Sequence, residues 1–134
     1  MKRINKKGFT LVELLVVLVI LVVIMSIAIP SVTSSIERSK QKQKDSKIEI
    51  IVSAAEIYVD RHKNSYSGNA TYTIKVQELI CDNLITKEQV KNPFSERYTL
   101  GGYVAYDKSN NSYTWVENND STYRLLISDT LTCS

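Results

Sequence analysis

The run from Leu14 to Ile29 most limits what this chain can fold into: it is uncharged and, apart from Ser26, wholly apolar. Together with the residues from Phe9 onward it reaches the roughly 20 positions that a membrane-crossing helix needs. It is too uniform for one amphipathic face of a soluble core helix. Glu13 stands directly before it, and ahead of Glu13 comes a basic leader, Met1 to Lys7, carrying Lys2, Arg3, Lys6 and Lys7. An ionised Glu costs about 2.5–3.5 kcal/mol at mid-bilayer on insertion scales, and less near the interface. Such a charge needs a partner. The chain supplies one if it is cut before Phe9, which removes all four leader cations and creates an α-amino group close to Glu13, in the same helix or in a neighbouring copy.

Two simpler readings of this N-terminus fit less well. A secretory signal has an apolar core of about 7–15 residues and an A-x-A-like cleavage site, whereas this run is longer and ends in Ile29-Pro30-Ser31-Val32. A plain single-pass anchor leaves Gly8-Phe9 and Glu13 without a purpose. The leader charge, the string Gly8-Phe9-Thr10-Leu11-Val12-Glu13 and the apolar run together closely resemble the prepilin signal of type IV pilins and their pseudopilin relatives. The resemblance covers roughly the first thirty residues. It implies cleavage after Gly8 by a membrane prepilin peptidase, N-methylation of Phe9, an assembly role for Glu13 and a helix bend at Pro30. Some pilins also carry a helix-weakening Gly between these last two positions; this chain has none there.

The formal charge of +3 hides the leader's share: without its four cations, 13 Lys and Arg face 14 carboxylates. The mature chain is therefore not globally basic, which weakens a nucleic-acid reading from charge alone. Positive flanks stay cytoplasmic, so the N-terminus is expected inside and everything after Pro30 outside.

Helix-forming composition continues past Pro30. Ile36 to Lys47 reads as polar all round, and from Ile48 the residues Ile48, Ile51, Val52, Ala55, Tyr58 and Val59 recur at helical spacing. A helix from Phe9 to about Arg61 spans roughly 80 Å at 1.5 Å per residue. Such a length makes sense if its apolar first half packs among other copies. After Asn64 strand signals appear. Tyr72 to Val76 reads as extended, Val76 to Asn83 as a short helix, and Thr86 to Val90 as a helical turn stopped by Asn92-Pro93. Gly102–Asp107, Ser112–Glu117 and Thr122–Ser128 read as three successive strands. The expected fold is α+β: a long N-terminal helix packed on a small three-stranded antiparallel sheet, as in the pilin head domain. The expected parts are a leader at residues 1–8, a transmembrane and polymerisation helix at 9–30, its continuation at 31–62 and a globular head at 63–134.

Cys81 and Cys133 fit one disulfide of an extracytoplasmic domain, and several type IV pilins close their C-terminal region in this way; two free thiols are the alternative. No nucleophile, phosphate-loop or metal-ligand spacing is present. No enzyme activity, cofactor or metal is therefore expected. His62 reads as a solvated or helix-capping residue. Asp107, Glu117 and Asp120, near the turns, are too sparse for a calcium loop.

The resemblance implies a structural subunit of a type IV pilus, anchored in the membrane by one span before assembly and surface-exposed in a filament afterwards. Its implied partners are the prepilin peptidase, an assembly platform with its ATPase, minor pilins and other copies of the chain. A pseudopilin of a type II secretion or competence DNA-uptake system is the alternative within the family. A DNA-binding module using Arg38, Lys40, Lys42, Lys44 and Lys47 is the alternative outside it.

Overall fold

A computed structural model of the chain describes residue 8, residues 10–68 and residues 70–133. The leader cations and Phe9 lie outside the described residues. The chain divides into two compact units, Met1–Ser39 and Lys40–Ser134. Helix α1 runs over Leu11–Arg61, 51 residues, and its helical assignment is unbroken at Pro30.

In the first unit every large apolar side chain from Leu11 to Ile29 is at least 45% exposed. The helix is long and apolar enough to cross a membrane. Two of its hydroxyls are spent on its own backbone: Ser26 Oγ donates to the Val22 carbonyl at 2.8 Å and Thr33 Oγ1 to that of Ile29 at 3.0 Å. This back-bonding satisfies the hydroxyls without a partner from outside.

In the second unit α1 packs on the head with Ile51, Ala54, Ala55 and Val59 buried, while Ile48, Val52 and Tyr58 lie against the same core. These are the residues of the helical stripe, with Ala54 added. The three-stranded antiparallel sheet is built from β1 (Thr71–Lys75), β4 (Gly102–Asp107) and β5 (Ser112–Glu117), in the order β1-β4-β5. Its register places Tyr72, Tyr106 and Tyr113 in one row and Ile74, Val104 and Trp115 in the next. Strand side chains alternate between faces, so both rows face the helix. Tyr106 stacks on Tyr113 at 4.7 Å between ring centroids, and Tyr66 meets Tyr72 edge-on at the same distance. Burial pushes the Tyr66 and Tyr113 phenols up to about 12, neighbouring Tyr groups adding to it. Gly102 leaves room for the next row: a Cβ there would lie 2.4 Å from Trp115 Cζ2.

Helix α2 (Val76–Cys81) is shorter than Val76–Asn83 because Asn83 takes a left-handed φ of 57°. The amides of Asn83 and Leu84 then bond back to the carbonyls of Ile80 and Leu79, each at 3.0 Å, which is a Schellman stop. The expected helical turn at Thr86–Val90 is only a turn. Thr86 and Gln89 form the reciprocal bonds of a helix start, at 2.9 and 3.3 Å. The chain then enters a hairpin, β2 (Lys91–Asn92) with β3 (Ser95–Thr99). Asn92 Oδ1 accepts the Phe94 amide at 2.9 Å, turning the chain at Asn92-Pro93.

Thr122–Ser128 is not the third strand; β1 takes that place in the sheet. The segment runs beside β3, where the Thr99 amide bonds the Leu125 carbonyl and the Ile127 amide that of Arg97, both at 2.9 Å. The Leu125 amide goes instead to the Thr99 hydroxyl at 3.0 Å. That diversion interrupts the ladder, leaving a single bridge, Tyr98–Leu126.

Candidate assembly site at the helix N-terminus

An α-helix begins with amides that have no partner inside the helix. Here the Glu13 amide donates to Thr10 Oγ1 at 3.3 Å, and the Thr10 amide donates to Glu13 Oε2 at 3.0 Å. Thr10 and Glu13 are thus N-cap and N3 of a capping box. The sequence signal for it, Thr-x-x-Glu ahead of an apolar run, is present in Thr10-Leu11-Val12-Glu13. The carboxylate therefore has one oxygen engaged on its own helix, and the box needs nothing from the leader: cleavage between Gly8 and Phe9 leaves Thr10 an ordinary amide. Gly8 is exposed, with open space around its Cα.

The lysine-rich part of α1 corrects the reading of a helix polar all round. Lys40, Lys44 and Lys47 are half-buried while Lys42 is exposed; their spacing of four and three puts the half-buried set on one face. Lys44 Nζ lies 2.7 Å from Glu117 Oε1, and Lys47 Nζ donates to the Lys91 carbonyl at 2.7 Å. Two of the five candidate DNA-contacting cations are thus committed to the head.

The remaining candidates are dispersed. Asp107 holds the β4–β5 turn, accepting from the Ser109 amide at 2.9 Å and hydroxyl at 2.6 Å, and these bonds hold its carboxyl below its ordinary value. Glu117 faces Lys44, and Asp120 accepts the Ser121 amide at 3.1 Å. His62 Nδ1 is 2.9 Å from the Tyr58 carbonyl just beyond the end of α1, the position of a helix C-terminal cap. Cys81, the last residue of α2, forms a disulfide with Cys133, with Cα atoms 5.6 Å apart. Lys87 Nζ also holds the C-terminal segment, donating to the carbonyls of Leu126 and Asp129.

Residues 3–29 match the prokaryotic N-terminal methylation motif. The chain is also 34% identical over 91 residues to Competence protein ComGC of Streptococcus pneumoniae serotype 4, a match spanning 68% of this chain and 77% of that protein. The same protein from strain R6 matches to the same extent. The chain belongs to the type IV pilin-like, prepilin-type family. No solved structure matches it. The family is one of structural proteins. Its signal implies processing by a prepilin peptidase and assembly with other pilin-like subunits. Motif and apolar helix together fit a membrane-anchored, surface-exposed protein.

Proposed function

We propose that this prepilin-type subunit is a competence pseudopilin, polymerising through its N-terminal helix into a short filament that serves DNA uptake. The observation that carries the proposal is its similarity to Competence protein ComGC across 68% of its length, well beyond the motif alone. In this reading residues 1–8 are the leader, and cleavage after Gly8 frees the Phe9 amine for methylation. Residues 9–30 form the membrane and polymerisation segment, 31–62 its continuation and 63–134 the head. The Phe9 amine is largely cationic at neutral pH, given a reference α-amino value near 8. It pairs with the oxygen of Glu13 that the capping box leaves over, on a neighbouring copy, and so sets axial register. Pro30 bends the helix between its membrane and head portions. An assembly platform with its ATPase, and minor pilins, complete the machine. Heterologous contacts that do not close produce such open helical assemblies.

DNA capture by the lysine-rich stretch is disfavoured, because Lys44 and Lys47 already hold the head together. The test is deletion of the gene with scoring of DNA uptake, exoprotein secretion and surface pili, and mass spectrometry of any filaments recovered. Loss of uptake with the chain found in a filament supports the proposal. Undiminished uptake overturns it; loss of long pili or of secretion assigns the subunit to those systems instead.

A further inference from the structure

The exposed large apolar side chains of the second unit, among its described residues, are Ile50 (42%), Ile57 (49%) and Phe94 (51%). They make one concave and one convex feature. Ile50 and Ile57, two turns apart on α1, flank Ser53 and Ala54, whose small side chains keep the floor between them low. Leu84 and Ile85, from the segment after α2, form the far wall. The resulting groove is shallow and open, about 370 Å³, and is lined also by Ser46 and Glu49. Phe94 stands at the turn of the β2–β3 hairpin and does not line this groove. Pro93 fixes its approach and the bond from its amide to Asn92 Oδ1 holds its backbone, so the backbone that carries the ring is ordered before binding.

We propose that Phe94 of one copy seats in the Ile50–Ile57 groove of the next copy in the assembled filament. The inference rests on the polymerising role proposed above and adds a second contact, between heads. Knob and groove lie on different parts of the same head, so the contact is heterologous and propagates from copy to copy. An aromatic side chain buries about 150–250 Å², far below the roughly 1,200 Å² of a stable protein–protein interface. Isolated heads therefore stay apart. The contact forms when the N-terminal helices hold neighbouring copies at high effective concentration.

The test places a benzophenone photo-crosslinking amino acid at position 94 of the full chain, expressed beside a second, differently tagged copy. Crosslinks between the two tags that map by mass spectrometry to Ile50–Ile57 or Leu84–Ile85 support the inference. Polymers that form normally, with position 94 crosslinked elsewhere or not at all, overturn it and leave the polymerising role standing. Absence of polymers from the unsubstituted chain, with no crosslinks, overturns both. Phe94→Ala should lower polymer yield about tenfold, the scale of an aromatic anchor at an interface. It should leave the Cys81–Cys133 bond and membrane level of the subunit unchanged, since Phe94 is largely exposed. An undiminished yield of polymer from Phe94→Ala overturns the contact as an assembly determinant.

Discussion

Glu13 has two roles in the reading above, and substitution can separate them. One oxygen accepts the Thr10 amide at 3.0 Å; the other is assigned to the Phe9 amine of a neighbour. Glu13→Gln keeps an acceptor for the Thr10 amide, since Gln serves at N3 of a capping box as Glu does, but it removes the negative charge. Glu13→Ala removes both. Breaking a buried ion pair leaves an uncompensated charge and costs about 3–5 kcal/mol, or roughly two to almost four orders of magnitude in incorporation. Orphaning one amide in an apolar setting costs about 1–3 kcal/mol, but it does so in membrane and polymer alike and cancels between them.

The assay co-expresses wild type with each variant and measures by mass spectrometry the ratio of the two in purified polymer against their ratio in the membrane. The expected order is wild type, then Gln and Ala together, lower by at least a hundredfold, because the loss of the box in Ala is common to membrane and polymer. All three should be cleaved and membrane-inserted. Equal incorporation of Gln and wild type refutes the ion pair. Incorporation of Ala well below Gln refutes a box that is the same in membrane and polymer.

Gly8→Val is expected to leave the leader attached, since the proposed cleavage follows a residue with no side chain; the mature wild-type N-terminus should be N-methylated Phe9, and an intact Met1 in polymer sinks this. Replacing Cys81 with Ser reopens a loop of sequence separation 52 and is expected to destabilise the head by at most about 4 kcal/mol. Denaturant unfolding of the detergent-solubilised chain measures that loss, and wild type should migrate faster on non-reducing than on reducing gels. Tyr66 and Tyr113, raised to about 12 from 10.0, bind protons more tightly folded than unfolded; their stabilisation is full below pH 10 and is lost as pH rises toward 12. Tyrosinate absorbance should accordingly rise together with loss of head structure in that window, and free titration of all Tyr near pH 10 in the folded head refutes the buried ladder. Gly102→Ala should cost about 1–3 kcal/mol through its collision with Trp115, read as a lowered Tm, and an unchanged Tm refutes that packing.

Much of the architecture was legible because it follows from periodicity. The stripe from Ile48 to Val59 is an apolar face at 3.6-residue spacing, and the same residues meet the core. Gly102–Asp107 and Ser112–Glu117 alternate β-branched and aromatic residues between clear turns, and both are strands over those spans. Legibility failed where partners distant in sequence decide the outcome. Thr122–Ser128 has strand composition, yet the Thr99 hydroxyl captures an amide that a ladder would need. Lys44 and Lys47 look solvated in sequence, and only the approach of Glu117 and the Lys91 carbonyl gives them a face. The Thr10–Glu13 box is a different case: its signal was local, but the need to pair a charge near the membrane directed attention to Phe9.

The exposure of Leu14 to Ile29 makes that choice of partner consequential. Lipid tails are as apolar as the side chains of a neighbouring helix, so moving this segment from bilayer to filament gains little hydrophobic free energy. Apolar area therefore confines the helix to one of two dry surroundings without deciding between them. The decision falls to terms that differ between the two: close packing of helices and, on the proposals above, the pairing of Glu13 with a neighbour's amine and contacts between heads. In lipid the capping box satisfies the Thr10 amide and leaves only the chain's own amine for the charge of Glu13; in the polymer proposed above a neighbour's amine would serve as well. On that proposal the carboxylate is better paired in the polymer, which favours leaving the membrane.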